Sequence, residues 1–228
     1  MKYLFKLTVA CILLLAAGNA KAQDYSKQLH VAGPAEYLKQ VEQDSNKRLV
    51  ELSKYIPGIV LDIRYATTNN FMKRRMYPQA RAFARLPVVK ALKQVQAELK
   101  ASGLGLKIYD AYRPYAITVQ FYKTALDTNF VADPRKGSKH NRGCALDLSI
   151  IDLKTGRELD MPTGFDSFSR KAASDYADLP KQQIANRELL KSVMQAHGFK
   201  ALPTEWWHFD FATWPQYPLL DIPFSAIK

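Results

Sequence analysis

Two short stretches of the sequence carry the residue types of a catalytic metal site. One contains His140 and Asp147, and the other, close to the C-terminus, contains Glu205 and His208. Two imidazoles and one carboxylate can hold a zinc ion through three protein ligands, which leaves a fourth position for water. A second carboxylate beside such an ion can serve as a general base. These four residues therefore predict a zinc site equipped for catalysis.

The first stretch predicts a strand that is preceded by a turn. From residue 144 to residue 150, apolar residues occupy the even positions, whereas Asp147 lies among small residues at the odd positions. This alternation is typical of a strand that buries its even positions. His140 lies an odd number of residues before Asp147, so a straight strand would place the two on opposite faces. His140 must therefore reach the site from the preceding turn, where Gly143 permits the bend.

The second stretch predicts another strand. Trp206, His208 and Asp210 share one of its faces, and aromatic residues fill the alternate positions 207, 209 and 211. Glu205 lies three residues before His208, at the entry of the strand and off the face of His208. This offset lets Glu205 approach a metal ion on His208 from the side without being a ligand.

The two motifs together resemble those of a known peptidase family. Residues 138–147 read Ser-x-His-x-x-Gly-x-Ala-x-Asp, and residues 205–208 read Glu-Trp-Trp-His. This combination resembles the D-alanyl-D-alanine dipeptidases of the vancomycin-resistance type, which belong to a zinc metallopeptidase group with D,D-carboxypeptidases, lysostaphin-like endopeptidases and the Hedgehog signalling domain. The segments 62–71, 109–114 and 164–166 are similar to the same dipeptidases and occur in the same order. The resemblance covers roughly residues 55 to 225.

The resemblance implies a mechanism. It implies that His140, Asp147 and His208 bind Zn²⁺, and that Glu205 takes a proton from the attacking water and passes it to the leaving amine. Arg113, at a predicted junction between strand and helix, is implied to stabilise the tetrahedral oxyanion, an effect worth on the order of 3 kcal/mol for one such donor. From the residues alone, Arg113 is equally well explained as the partner of a neighbouring carboxylate.

The resemblance also implies a substrate, the free dipeptide D-alanyl-D-alanine, together with related dipeptides that contain D-residues. Asp166 and Tyr65 would hold its ammonium group, and Ser138 and Tyr77 would hold its carboxylate. Because a longer peptide lacks one of these two charges, holding both ends would restrict the enzyme to dipeptides. Small dipeptides are therefore the expected partners, and peptidoglycan fragments are further candidates.

Two other functions stay open at this point. A peptidoglycan D,D-carboxypeptidase or endopeptidase would use the same zinc chemistry, although the Glu-Trp-Trp-His form and the pair Phe165-Asp166 favour the dipeptidase. A zinc-stabilised binding module without activity, as in Hedgehog, is the third interpretation, and the presence of both Glu205 and Arg113 argues against it. Nucleic acid is not an expected partner, because the lysines and arginines behind the net charge of +12 are dispersed along the chain.

Residues 1–22 have the features of a secretory signal peptide. Two lysines precede an apolar run at residues 7–17, and Ala-Lys-Ala at 20–22 provides a small-x-small cleavage site. The apolar run is far shorter than the ~20 residues of a membrane-spanning helix. We therefore expect export to the periplasm or cell envelope, with a flexible arm at 23–34 and one zinc metallopeptidase domain at 35–228.

The cysteine that remains after signal cleavage is predicted to be structural. Cys144 would be alone in the mature chain, so no disulfide can form within it. Cys144 also lies on the predicted apolar face of its strand, which assigns it to the core. His30 lies in the predicted arm and His197 ends a predicted helix, where a cation suits the helix dipole. Both histidines are therefore assigned structural roles.

The remaining pattern predicts an α+β fold, with a central antiparallel or mixed sheet that carries the zinc site and helices packed to one side. Helices are predicted at 35–55 (one or two), 86–100, 114–126 and 181–197, and strands at 59–65, 104–109, 144–150 and 205–211. A hairpin turn into a further strand is predicted at 153–159, and a loop over the site at 164–179. The residues of the last helix expected to face inward are Ile184, Leu189, Val193 and Met194.

Overall fold

The computed structural model describes Tyr25 and residues 29–125 and 131–227, and the predicted signal peptide lies outside these residues. The helices are α1 (Pro34–Gln43), α2 (Leu52–Tyr55), α3 (Leu86–Ala101), α4 (Tyr115–Thr124) and α5 (Lys181–Ala196). The strands are β1 (Val31–Ala32), β2 (Leu49–Glu51), β3 (Val60–Leu61), β4 (Phe83–Arg85), β5 (Leu104–Asp110), β6 (Ala145–Asp152), β7 (Phe199–Leu202), β8 (Glu205–Phe211) and β9 (Leu219–Leu220). In the described part of the chain, none of the helices has the length and apolar character needed to cross a membrane.

A five-stranded sheet in the order β3-β5-β6-β8-β7 forms the centre of the fold. β3 runs parallel to β5 and the other neighbouring pairs are antiparallel, so the predicted α+β fold with a mixed sheet is confirmed. The two motifs lie on the adjacent strands β6 and β8, whose register places Asp147 opposite His208. Since paired residues of an antiparallel ladder project from the same face, the sheet brings the distant motifs together.

Strand β6 is buried on both faces. Leu146, Leu148 and Ile150 are fully buried, as the alternation predicts. Asp147 and Ser149 on the other face are also less than 5 % exposed. The polar face is therefore covered as well, and charged groups on it need partners within the protein.

The helices pack around this sheet. α3 contacts β5 and α5, and α5 also contacts β7 and β8. α4 lies beside the metal-site motif, where the ring of Phe121 is 4.7 Å from the guanidinium carbon of Arg113. The ranges of α3, α4 and α5 agree with the predicted helices to within about two residues.

The N-terminal part differs most from the prediction. In place of one or two helices over 35–55, α1 ends at Gln43, and β2 pairs with β4 before the single turn of α2. This pairing is a tertiary contact, which overrides the helical spacing of the apolar residues. The predicted strand at 59–65 is limited to β3. Residues of the predicted flexible arm form β1, which pairs with β9 and buries Ala32 completely.

Two details of the C-terminal half also differ. After the hairpin turn at 153–159, the expected strand is reduced to one bridge between Ile151 and Glu158. In α5, Leu189 is 41 % exposed and Leu190 is fully buried. The assignment of Leu189 to the inward face was therefore wrong by one position, because neighbouring helical residues point in directions about 100° apart.

Candidate active site

His140, Asp147 and His208 lie together as a candidate metal site. One ligand atom of each lies within 4.8 Å of the other two, and all three residues are buried. Nε2 of His140 is 3.3 Å from Nδ1 of His208 and 3.4 Å from Oδ2 of Asp147. Nδ1 of His208 is 3.0 Å from Oδ1 of Asp147. The structure thus brings the three predicted ligands into one cluster.

His140 reaches the cluster from the turn before β6. It begins the 3-10 helix His140–Arg142, and Gly143 follows in the left-handed conformation with φ of 69°. A Cβ atom at this position would lie 2.7 Å from Cδ2 of the buried Leu49. Both the backbone angle and the packing therefore favour glycine. This turn lets His140 and Asp147 meet in spite of their odd separation.

A hydrogen bond holds the outer nitrogen of each imidazole. Nδ1 of His140 donates to the carbonyl oxygen of Ala111 at 2.7 Å, and Nε2 of His208 donates to Oδ1 of Asp210 at 2.9 Å. Oδ2 of Asp210 in turn accepts a hydrogen bond from Nζ of Lys139 at 2.6 Å. Because a neutral imidazole carries one proton, these bonds leave a lone pair on each nitrogen that faces the cluster.

The charges within the cluster fit a divalent cation. Burial alone would raise the pKa of Asp147, but His140 and His208 lower it, so the carboxylate is ionised. Burial alone would lower the pKa of His208, but its hydrogen bonds to Asp147 and Asp210 raise it to about 10. A metal ion would take the place of that proton. Two imidazoles and one carboxylate with hydrogen-bonded outer atoms are the donor set of a catalytic zinc site.

Glu205 lies at the start of β8, beside the cluster. Its Oε2 atom is 3.9 Å from Nδ1 of His208, and its side chain lines the same cavity as the candidate ligands. Burial raises the pKa of Glu205, His208 opposes this shift and Asp147 adds to it. A carboxylate with a raised pKa is a stronger base, which suits proton transfer from water.

Arg113 follows β5 and directs its guanidinium toward the cluster. Its Nη2 atom is 4.0 Å from Oδ2 of Asp147. Oδ2 of Asp110 accepts a hydrogen bond from Nε at 3.0 Å and another from Nη2 at 2.6 Å. The guanidinium also lies 4.7 Å from the ring centre of Phe121 and 5.4 Å from that of Tyr65. Arg113 therefore pairs with a carboxylate and also forms a fixed cation at the candidate metal site.

Asp166 and Tyr65 meet on the cavity wall although they lie 101 positions apart in the sequence. The hydroxyl of Tyr65 donates to the carboxylate of Asp166, with distances of 3.1 and 3.0 Å to its two oxygens. Asp166 has a positive φ of 59°, which is uncommon outside glycine. The rings of Phe71 and Phe121 pack against Tyr65. A carboxylate beside aromatic rings can bind an ammonium group by charge and by cation–π attraction.

A cavity of about 530 Å³ connects these groups. Eight of the nine predicted site residues line it, namely Tyr65, Arg113, Ser138, His140, Asp147, Asp166, Glu205 and His208. Tyr77 lies elsewhere: it is 2 % exposed, is not a lining residue of this cavity, and donates its hydroxyl to Oδ1 of Asp110 at 2.8 Å. Its contact with a substrate carboxylate stays a prediction. The burial of Tyr77 outside the cavity lining does not favour that contact.

Asp110 and Asp210 hold the site together, although no role was predicted for either. They are 1 % and 6 % exposed, respectively. A buried carboxylate requires a partner. The short spacing of Asp110 from Arg113 and of Asp210 from His208 could therefore have predicted these two pairs from the sequence. Cys144 is fully buried, and burial raises the pKa of its thiol to about 12. Its predicted place in the core is confirmed.

Comparison with known proteins agrees with this geometry. The model of peptidase family M15, described as D-ala-D-ala dipeptidase, matches residues 45–225. The D-alanyl-D-alanine dipeptidase of Escherichia coli K12 is 35 % identical over 178 residues, which cover 78 % of this chain and 92 % of that protein. The dipeptidase of Enterococcus faecalis is 28 % identical over 193 residues, with coverage of 76 % and 92 %. That of Streptomyces coelicolor is 29 % identical over 181 residues, with coverage of 69 % and 88 %.

The solved structures that resemble this chain are more distant. The LdcB LD-carboxypeptidase is 18 % identical, covers 72 % of this chain and 67 % of its own, and has a TM-score of 0.41. The assignment therefore depends on the family model and the dipeptidase relatives, which extend over most of the sequence. The chain belongs to peptidase family M15, the D-Ala-D-Ala dipeptidases, and is a metallopeptidase.

Proposed function

We propose that the protein is a zinc-dependent dipeptidase that hydrolyses D-alanyl-D-alanine and related dipeptides containing D-residues. The observation that carries this proposal is the position of Glu205, 3.9 Å from His208, in a cavity that also contains Arg113. His140, Asp147 and His208 would hold the zinc ion. The names of the curated relatives, all D-alanyl-D-alanine dipeptidases, support the substrate.

The reaction breaks the amide bond between the two residues of the dipeptide. A bound Zn²⁺ would lower the pKa of water and polarise the scissile carbonyl. Glu205 accepts the proton of the water that attacks the carbonyl carbon, and then donates it to the leaving nitrogen as the carbon–nitrogen bond breaks. Arg113 donates to the oxyanion that develops on the former carbonyl oxygen. Because Asp110 already fixes its guanidinium, this stabilisation requires little rearrangement.

Selectivity for free dipeptides would come from recognition of both termini. Asp166, held by Tyr65, would bind the ammonium group, and Ser138 would bind the carboxylate. A peptide extended at its amino end has no ammonium group to place against Asp166. That carboxylate would then be buried against an uncharged amide, which is unfavourable.

A panel of three substrates tests this proposal on the zinc-loaded protein: D-Ala-D-Ala, its N-acetyl derivative, and a pentapeptide that ends in D-Ala-D-Ala. We expect cleavage of the free dipeptide and at least a hundredfold lower kcat/KM for the other two. Preferred cleavage of the pentapeptide would instead identify a D,D-carboxypeptidase. If none of the three is cleaved while zinc stays bound, the binding-module alternative is supported.

We also propose that the enzyme acts outside the cytoplasm, in the periplasm or cell envelope. The signal-like pattern of residues 1–22 supports this location. An exported enzyme meets dipeptides released from peptidoglycan, so the proposed role is their salvage or use as a nutrient. Cell fractionation with an antibody to the protein tests the location, and mature protein in the cytosolic fraction would contradict it.

A further inference from the structure

The proposed site has a charged partner for only one end of a dipeptide. A free dipeptide at neutral pH carries an ammonium group and a carboxylate. Asp166 matches the ammonium group, whereas Ser138 is neutral and its Oγ atom already accepts the backbone N–H of His140 at 3.2 Å. Tyr77 is bound to Asp110 and does not line the cavity. The carboxylate therefore lacks a cation among the residues predicted to hold it.

Among the residues that the structure describes, four lysine and arginine side chains line the cavity, and three of them already have partners. Arg113 is bound by Asp110, and Nζ of Lys139 lies 2.6 Å from the carboxylate of Asp210. The guanidinium of Arg142 donates to the backbone carbonyl of Tyr217. The three partnered cations are Arg113, Lys139 and Arg142, and the fourth is Lys136.

Lys136 is exposed and forms no ion pair with any residue that the structure describes. The nearby acidic side chain, Asp133, is bound by the guanidinium of Arg135 at 2.8 to 3.1 Å. Lys136 lines the cavity together with Ser138, which lies two residues further along the chain. A solvated ammonium group in this position is available to a ligand, and it loses no existing partner when it binds one.

The backbone around Lys136 is fixed. The N–H groups of Lys136 and Gly137 both donate to the carbonyl oxygen of Asp133, at 2.9 and 3.0 Å. Gly137 has a φ of 73°, and a Cβ atom there would lie 2.6 Å from the side chain of Leu219. The N–H of Ser138 donates to the side chain of Asn141 at 2.8 Å. This turn therefore holds the Lys136 backbone in place and leaves only its side chain to move.

We propose that Lys136 binds the α-carboxylate of the dipeptide and, with Ser138, forms the subsite for its carboxyl end. This inference rests on the proposed dipeptidase function and adds a specificity residue to it. The cavity then offers one partner for each end of the substrate: Lys136 for the carboxylate, and Asp166, whose ionised form the bound ammonium group would favour, for the amino end. Two opposite charges in one cavity select zwitterionic dipeptides over peptides that lack either charge.

The test compares D-Ala-D-Ala with D-alanyl-D-alanine amide, which has no carboxylate charge, on the wild type and on Lys136→Met. We expect the substitution to raise KM for the free dipeptide at least tenfold with kcat changed less than twofold, because it removes binding energy present before and during the reaction. The kcat/KM for the amide should change less than twofold. Lys136→Arg should keep most of the preference for the acid, and Lys154→Met, at an exposed lysine outside the cavity lining, should behave as wild type.

The outcomes distinguish a failure of the Lys136 subsite from a failure of the dipeptidase function. If Lys136→Met lowers kcat/KM for the acid and the amide equally, or for neither, the carboxylate subsite at Lys136 is refuted while the dipeptidase function stands. If the wild type cleaves neither compound, the proposed function fails and the inference fails with it.

Discussion

Oδ2 of Asp110 accepts two N–H groups of Arg113, Nη2 at 2.6 Å and Nε at 3.0 Å. Both residues are buried. Oδ1 of Asp110 accepts the hydroxyl of Tyr77 at 2.8 Å and the N–H of Ala111 at 2.9 Å. This network fixes the direction of the Arg113 guanidinium before a substrate arrives, which is the condition for preorganised stabilisation of an oxyanion.

Substitution Asp110→Asn should therefore lower kcat more than it changes KM. We expect a loss of about tenfold or more, approaching the ~10²–10³ that removal of an oxyanion donor costs. Steady-state kinetics with zinc content measured in parallel checks this. The control is Asp62→Asn, which breaks a partly exposed Asp–Arg pair with Arg64 outside the cavity lining. Equal kinetic losses in the two variants would contradict a positioning role for Asp110.

Asp210 is expected to set the metal affinity without touching the metal. Its Oδ1 atom fixes the imidazole of His208 through Nε2 at 2.9 Å. Removing such an outer partner typically weakens metal binding 10–100-fold, so Asp210→Asn should raise the zinc Kd by about that factor. Competition with a chromophoric chelator measures it, with Asp178→Asn at an exposed position as the control. An unchanged Kd in Asp210→Asn would show that the negative charge of this outer partner is dispensable.

Asp166 should make the protein less stable as the pH rises. Burial and the nearby Asp147 carboxylate raise its pKa to about 8, in spite of the hydrogen bond from Tyr65, whereas an unfolded chain has a value near ~3.9. Between these values the folded state binds more protons than the unfolded state, so this group's contribution to the free energy of unfolding falls as pH rises. Asp166→Asn removes the effect.

Urea unfolding of the metal-free wild type and Asp166→Asn between pH 5 and 9 tests this. The stability of the variant relative to the wild type should increase with pH up to about 8 and then level off. Parallel stability curves would contradict the assignment. The variant should also lose most of its activity on D-Ala-D-Ala, because an amide, unlike the Asp166 carboxyl group, cannot ionise to pair with the bound ammonium group.

Gly143→Ala should destabilise the fold and displace His140. The left-handed backbone costs a residue with a side chain roughly 1–2 kcal/mol, and the new Cβ atom would lie 2.7 Å from the side chain of Leu49. Gly156→Ala is a matched control, since Gly156 has the same φ of 69° and nothing within 4 Å of its Cβ position. Thermal unfolding should show a larger loss for Gly143→Ala. Equal losses would mean that packing at Leu49 is unimportant.

Strand β6 and the turn that carries His140 were predictable because their signals are local. The alternation before and after Asp147 predicts β6, and the odd spacing of His140 predicts the turn at Gly143, as the structure has it. The pairing of β6 with β8 is different, since no local pattern specifies that Asp147 faces His208, which lies 61 positions further along the chain. The shared chemistry of the two motifs, together with their resemblance to those of a known peptidase family, indicated that they meet.

The remaining differences arise from contacts that the sequence does not encode locally. The segment at β2 has helical spacing, yet it forms a strand because β4 offers it a partner. At β2 the tertiary partner decides the outcome, because local propensity is too weak to oppose it. Tyr77, which the resemblance implies as a substrate contact, donates its hydroxyl to Asp110, 33 residues away, and no local pattern specifies this hydrogen bond.

Zinc-dependent catalysis with Glu205 as the general base is tested most directly by the turnover of D-Ala-D-Ala by zinc-loaded wild type and by Glu205→Gln, with bound zinc measured in each. Glu205 lies beside the candidate ligands and is not one of them. We predict that the variant keeps one zinc ion per chain and loses about 10²–10⁴-fold in kcat, the usual contribution of a general acid–base. Turnover close to that of the wild type in a zinc-loaded Glu205→Gln protein would contradict general acid–base catalysis by Glu205.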